Sequence, residues 1–430
     1  MAELKPFRGL IYSASKIGGD YSGVVAPPYD VIPENMRDEL YGKNKYNVIR
    51  LILGKALEND NEEYNKYTRA KNFLAEWQDQ DVLVRDEAAS FYVYEQEYEY
   101  GGQTYRRIGF LGLMKIEEPG EKSVIPHEYT LAKPKEDRMN LIKQVKANLS
   151  PIFVLYEDTG GTITDILTKT TSSASPEIDV KLGDGKHKLW RLCDKDSVDK
   201  IVSLMKGKKV YIADGHHRYE VAMAYRNARR EDGKYDGSAD YILMYFTDMI
   251  DAKPHNNLTV AATHRAIKVM PVADEELAEK IAEYFDVTEC KSLSELMEGL
   301  GEGKTGEHAF GYFGGNKYFL IKLRKKNDLS KLIPEEKSME WKRLDVSILH
   351  SGIFKNLLKV KESEGNITYV KNSSEAEELV KNGSHTAAFF LNPTRVEQIK
   401  AVAEEGDMMP QKSTYFYPKL LSGLVINKFD

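Results

Sequence analysis

Val210-Tyr211-Ile212-Ala213 is apolar and β-favouring, Asp214-Gly215 interrupts it, and Val221, Ala224, Tyr225 and Ala228 then recur at i, i+3, i+4 and i+7. This pattern predicts a strand, a tight turn and an amphipathic helix in immediate succession, with the helix starting just beyond His217. At such a helix start the first-turn N–H groups lack helical partners and carry partial positive charge, so an anion is stabilised there. Gly215 has no Cβ to hold a ligand away from the backbone. Arg218 offers a planar fork for two phosphate oxygens, and His216 and His217 supply donors or, when neutral, a base. A plainer reading makes Asp214 an N-cap and Gly215 a turn former. Four chemically versatile polar residues in a row favour a phosphate-binding turn instead. Zinc ranks below a divalent cation carried by phosphate, because adjacent histidines lack the i, i+4 spacing that puts two ligands on one helix face, and no metal ligands are assigned.

With 430 residues the chain is about two to three times a typical domain length, which predicts at least two cores. Its 61 basic and 67 acidic residues leave a net charge of −6 and no overall positive field for a nucleic-acid backbone. Nucleic acid is therefore not an expected partner. Two cysteines, Cys193 and Cys290, are too few for a disulfide framework or a cysteine zinc site. The first twelve residues lack a signal-peptide pattern and no later run reaches membrane-spanning length, so a cytoplasmic protein without a membrane partner is expected.

Elsewhere, paired prolines in Ala26-Pro27-Pro28-Tyr29-Asp30 impose an extended backbone. Tyr67, Ala70, Leu74 and Trp77 place a packing helix over 62–80, and two aromatic, β-branched runs at 91–100 and 104–116, joined by Gly101-Gly102, read as a hairpin. The Thr/Ser/Gly-rich segment 159–176 reads as a surface loop. Strands are expected at 188–192, 209–213, 317–323, 366–370 and 386–391, with helices at 274–284, 375–382 and 395–405. The alternation beyond about residue 266 suggests a second α/β layer.

Two further clusters carry chemistry. His127-Glu128-Tyr129-Thr130 and the charge run 133–138 precede an amphipathic helix bearing Met139, Ile142 and Val145. Glu128 is placed to accept a hydroxyl proton, and Lys135 or Arg138 to hold phosphates, whereas Glu136 and Asp137 read as solvated charges. In the C-terminal segment 409–419, aromatic residues interleave with Lys412, Ser413, Thr414 and Lys419, a composition suited either to an anion or to docking of the chain end.

The segments Ala26-Pro27-Pro28-Tyr29-Asp30-Val31, Asn47-Val48-Ile49-Arg50-Leu51, His127-Glu128-Tyr129-Thr130, Asn148-Leu149-Ser150-Pro151-Ile152-Phe153 and Ala213-Asp214-Gly215-His216-His217-Arg218-Tyr219-Glu220, with the 412–419 tail, resemble the bacterial and archaeal family labelled domain of unknown function number 1015. The Asp-Gly-His-His-Arg element also resembles the phosphate turn of the ParB and sulfiredoxin fold, which includes free-serine kinases. The resemblance implies an α+β protein with a ParB/sulfiredoxin-like nucleotide-binding core and a second α/β layer domain. The expected division is a core with insertions over 1–265 and an α/β domain over 266–430 whose C-terminal tail returns to the site. It also implies phosphoryl transfer between ADP or ATP, with Mg²⁺, and serine, phosphoserine or a similar small metabolite. Sulfiredoxin chemistry is set aside because neither cysteine lies in a glycine-, histidine- or cation-rich motif. On this reading Asp214, Gly215, His216, His217, Arg218, Lys135, Arg138, Lys412, Ser413, Thr414 and Lys419 bind the nucleotide. Glu128 is the base with Asp30 as alternative, and His216 and His217 assist. Two rival readings are a CTP-responsive DNA-binding regulator, for which Arg226, Arg229 and Arg230 form a short cationic face, and a metal-dependent hydrolase. The oligomeric state is left open.

Overall fold

The computed structural model describes residues 3–183, 185–232, 235–250, 257–301, 307–325, 328–362 and 365–429. By its internal contacts the chain divides into two units. The first comprises Met1–Pro126, Thr130–Leu258 and Pro418–Asp430, and the second His127–Tyr129 with Thr259–Tyr417. The fold class is α+β.

The first unit is built on a mixed sheet with strand order Val124–Ile125, Val210–Asp214, Ile152–Tyr156, Tyr241–Asp248, Gln103–Lys115, Phe91–Tyr100, Gly185–Leu192 and Ile178–Leu182; Leu4–Lys5 adds to Gln103–Lys115. The long hairpin forms where its sequence predicts, because Gly101 and Gly102 both take positive φ, 58° and 76°, as a two-residue turn matched to strand twist requires. Phe91, Val93, Phe110, Val154, Ile212, Met244 and Phe246 make the core of the sheet. Helices Thr162–Ser173 and Lys195–Met205 add Ile163, Leu167, Val198, Ile201 and Met205 to that core.

The first of these helices corrects the expectation of a loop over 159–176. Its low-propensity composition is overridden by tertiary burial of Ile163 and Leu167, one turn apart. Hydroxyls that would otherwise compete with the helix fold back onto it, Thr170 onto the Ile166 carbonyl and Ser172 onto that of Thr168. A second correction concerns 133–138, which lies inside helix Ala132–Val145 rather than before it. Asp137 there is no solvated charge: it accepts from Lys66 at 2.7 Å and Tyr67 at 2.8 Å and pairs with Arg138. Helix Lys66–Asp79 starts at the capping residue Asn65 and buries Ala70, Leu74 and Trp77.

The second unit holds a six-stranded sheet in the order Phe285–Cys290, Tyr318–Leu323, Ala309–Phe313, Ala387–Leu391, His264–Ile267, Ile367–Val370. All its pairings are antiparallel. Helices Leu293–Gly301 and Ser373–Lys381 contribute Leu296, Leu300, Ala376 and Val380 to its core. Strands and helices do alternate here, but they build an antiparallel layered unit, not the parallel crossovers that alternation by itself suggests. No helix among the described residues is long and apolar enough to cross a membrane.

Candidate functional site

Strand Val210–Asp214 lies between Val124–Ile125, its parallel neighbour, and Ile152–Tyr156, its antiparallel one. The register slips between Ile212, opposite Val154, and Asp214, opposite Phe153, so Ala213 is an extra residue. Without that bulge Asp214 would share a face with Ile212 and point into the apolar core. Gly215 follows at φ 99° and ψ 26°, a left-handed conformation that glycine adopts without strain, and helix His216–Glu231 starts at His216, two residues before the expected point. A Cβ on Gly215 would sit 3.0 Å from the guanidinium of Arg218. The missing side chain therefore makes room for Arg218 itself.

The Asp214 carboxylate is the hub. Arg218 donates to it at 2.6 Å, Lys419 donates to its other oxygen, and all three side chains are 12–14% exposed. Arg218 also donates to the Pro151 carbonyl. Burial by itself would raise the Asp214 carboxyl, but the Lys419 ammonium, the Arg218 guanidinium and His216 outweigh it and hold the group well below the usual carboxylate range. The carboxylate is thus ionised throughout the neutral range. His216 is buried, and the half-buried ring of His217 accepts the Leu131 N–H through Nε2 at 2.9 Å.

Lys419 reaches Asp214 across 205 residues of chain because the segment around it is stitched to the central hairpin. Arg107, fully buried, donates to the Pro418 carbonyl at 2.5 Å, Gln96 donates to the Lys419 carbonyl at 3.1 Å, and Leu421 N–H donates to the Tyr94 hydroxyl at 3.3 Å. Gln96 and Arg107 are themselves hydrogen-bonded cross-strand partners. Nothing in the composition of the hairpin announces this function.

A cleft beside the turn is lined by Tyr29, Ile52, Arg138, Leu141, Ile142, Ala147, Asn148, Leu149, Ser150, Arg218, Val221 and Ile242. The proline pair sets Pro28 at φ −64° and ψ 149° and delivers Tyr29 into a short 3-10 turn. The Arg138 guanidinium lies 3.9 Å from the Tyr29 ring centroid, held by the Ile52 carbonyl at 2.8 Å and by Asp137 at 3.0 Å. Burial raises the Tyr29 phenol, whose surroundings include Arg138, Arg218, Asp30 and Asp214. Asp30 itself is exposed. The segments 26–31 and 148–153, prominent in the sequence, both contribute to this cleft.

The remaining sequence-nominated residues are placed as follows. Lys135 pairs with Glu220 at 3.0 Å, and Thr130 donates to the same carboxylate at 2.7 Å. Glu128, Lys412, Ser413 and Thr414 belong to the second unit. There Thr414 lies 3.1 Å from His127 Nε2 and 3.5 Å from Glu128, the buried Ser413 hydroxyl donates to the Pro410 carbonyl, and Lys412 is exposed at φ 57°. The cationic face expected from Arg226, Arg229 and Arg230 does not exist as such. Arg226 is buried against the Ile116 and Glu117 carbonyls, Arg229 pairs with Asp232, and Arg230 pairs with Glu118 and Asp240.

The family described as "Protein of unknown function (DUF1015)" matches residues 4–347, four-fifths of the chain. The chain belongs to that family. No curated protein matches it significantly. Among solved structures, this DUF1015 protein is similar to a free serine kinase in complex with AMP, at 15% identity and a TM-score of 0.34 over 71% of this chain and 86% of that one. A conserved hypothetical protein from Pyrococcus furiosus matches at 15% identity and a TM-score of 0.34, over 72% and 91% of the two chains. SbnI from Staphylococcus aureus, truncated at its C-terminus, matches at 12% and 0.35, over 73% and 86%.

Proposed function

We propose that this DUF1015 protein is a phosphotransferase that moves the terminal phosphoryl group of ADP or ATP to serine or a similar small hydroxylated metabolite, or runs that transfer in reverse. The observation that carries the reading is the convergence of Lys419 and Arg218 on one buried carboxylate, Asp214, at the N-terminus of a 16-residue helix. One carboxylate balances one cation. Together these three side chains carry one net positive charge where solvation is poor, and the helix N-terminus adds to it; a phosphate group is a complementary ligand for them. A ParB/sulfiredoxin-like core is the frame proposed for this strand, turn and helix.

Phosphoryl transfer asks a protein mainly for positioning and charge neutralisation. The phosphate turn formed by Gly215, His216 and Arg218, with Lys419, would hold the transferring group. The bond from phosphorus to the leaving phosphate oxygen breaks as the bond to the acceptor hydroxyl forms, and a carboxylate takes the hydroxyl proton. Asp30 is preferred for that role, since it is exposed, belongs to the unit that carries the turn, and adjoins Tyr29 in the cleft. Among the described residues no group of three or more acidic, histidine or cysteine side chains could hold a metal. The Mg²⁺ of this proposal is carried on the nucleotide phosphates and belongs to the substrate.

The test is to incubate the protein with Mg²⁺ and each nucleotide, with serine or phosphoserine as the partner, and to follow phosphate transfer by ³¹P NMR. Transfer that is lost in Arg218→Ala supports the reading. Absence of transfer with every nucleotide, together with absence of nucleotide binding, overturns it.

A further inference from the structure

We infer that the cleft roofed by Tyr29 is the subsite for the nucleoside part of the nucleotide, with Tyr29 and Asn148 as its ligand-contacting polar residues. The inference rests on the nucleotide reading above and adds to it which end of the ligand lies where. Arg218 lines the cleft and also belongs to the Asp214 cluster, so a ligand with its phosphate at the turn extends its other end into this space.

The lining selects for an aromatic heterocycle. Seven of the twelve lining residues are aliphatic, which rewards a flat apolar face and gives a small zwitterion nothing. The charges in the lining are Arg138 and Arg218, with no carboxylate among the twelve. A free amino acid placed here would set its ammonium beside two guanidinium groups whose own carboxylates, Asp137 and Asp214, are already paired with them, whereas a base carries no such charge.

Two polar points remain unspent. Asn148 is 8% exposed, and its carboxamide oxygen is fixed by donors from Leu243 N–H at 3.1 Å and Asn427 Nδ2 at 2.9 Å. A backbone N–H can only donate, so the oxygen is assigned without ambiguity, and the amide NH₂ is left with no protein acceptor among the described residues. A ring nitrogen of a purine or pyrimidine is the acceptor it lacks. The Tyr29 hydroxyl likewise has no protein partner among the described residues, while the Tyr29 ring is held in place by the Arg138 guanidinium at 3.9 Å. Ser150 is not available in the same way, because its hydroxyl is bonded to that of Ser422 at 2.6 Å.

The experiment compares ADP with inorganic pyrophosphate by isothermal titration calorimetry on the full chain. In Tyr29→Ala the affinity for ADP is expected to fall about tenfold or more, as loss of a base-contacting aromatic typically does, while pyrophosphate binds as to the wild type. Unchanged ADP affinity in Tyr29→Ala overturns the subsite, and so does a parallel loss for ADP and pyrophosphate, which would mean that Tyr29 supports the turn. If the wild type binds pyrophosphate but gains nothing from the nucleoside of ADP, the subsite is again overturned while the anion site stands. If the wild type binds neither, it is the nucleotide reading that fails. Should Tyr29→Ala not fold, saturation-transfer NMR on the wild type decides: transfer from the Leu141 and Ile142 methyls to the adenine protons of ADP supports the subsite, and its absence overturns it.

Discussion

Replacing Asp214 with asparagine isolates the charge hub of the proposed site. The change keeps the shape of the side chain and one acceptor oxygen, but deprives the Lys419 ammonium and the Arg218 guanidinium, each under 15% exposed, of the carboxylate they share. A unit-charge pair at about 3 Å gains roughly 5 kcal/mol in an effective dielectric near 20, before desolvation is subtracted. Loss of one partner of a buried pair is measured at about 3–5 kcal/mol. Asp214→Asn should therefore lower stability by about 3–5 kcal/mol, on the order of 6–15 °C in Tm for a unit of this size. Inorganic phosphate or ADP should then restore part of the loss, because the two cations are released to bind an anion, and the anion should stabilise the variant more than the wild type. Thermal melts with and without millimolar phosphate check this. A variant that melts like the wild type, or one that phosphate does not rescue, refutes the argument that the cluster is an anion site. The pH dependence has a definite sign. Because the folded-state carboxyl is depressed, its contribution is fully present above the unfolded value near 3.9 and is lost as pH falls through the lower folded value. The acid limb of the stability curve should be shallower in Asp214→Asn.

Gly215→Val combines a positive-φ backbone with a Cβ 3.0 Å from the Arg218 guanidinium; it should cost about 1–3 kcal/mol in urea denaturation and abolish nucleotide binding by displacing Arg218. Asp30→Asn should reduce turnover by about a hundredfold or more with nucleotide affinity preserved; full turnover in steady-state assays would remove Asp30 from the base role. Burial pushes the carboxyl of Asp248 up to about 6, against two backbone N–H donors, from Ile250 and Asp158, that favour its ionised form. A raised folded-state value means that stability declines as pH rises from about 4 to about 6, so Asp248→Asn should be more stable than the wild type at pH 8, by about 1 kcal/mol after solvent screening, and no more stable at pH 4, as read from denaturation at the two pH values.

Local pattern was sufficient wherever a few neighbouring residues settle the geometry. Gly101-Gly102 dictates the turn of the long hairpin, the proline pair sets the backbone before Tyr29, and apolar residues at alternate and helical spacing locate the strand and helix on either side of Asp214-Gly215. The turn between them was legible for the same reason, since its residues are consecutive. Helix Thr162–Ser173 was not, because its stability comes from burying Ile163 and Leu167 against a sheet assembled from distant segments, a term absent from local propensity. Sheet direction in the second unit was also beyond reach, since alternating strands and helices fit either parallel or antiparallel pairing until the register is formed. The tertiary structure alone decided that Lys419 meets Asp214, that Arg107 and Gln96 hold the segment which brings it there, and that Asn148 faces the cleft with its oxygen already engaged. Those contacts join residues 95 to 323 positions apart, including Leu243 and Asn427 on Asn148. A sequence specifies such pairs only through the packing of everything between them, because the charge and hydrogen-bond energies involved act over a few ångströms of space and carry no signature along the chain.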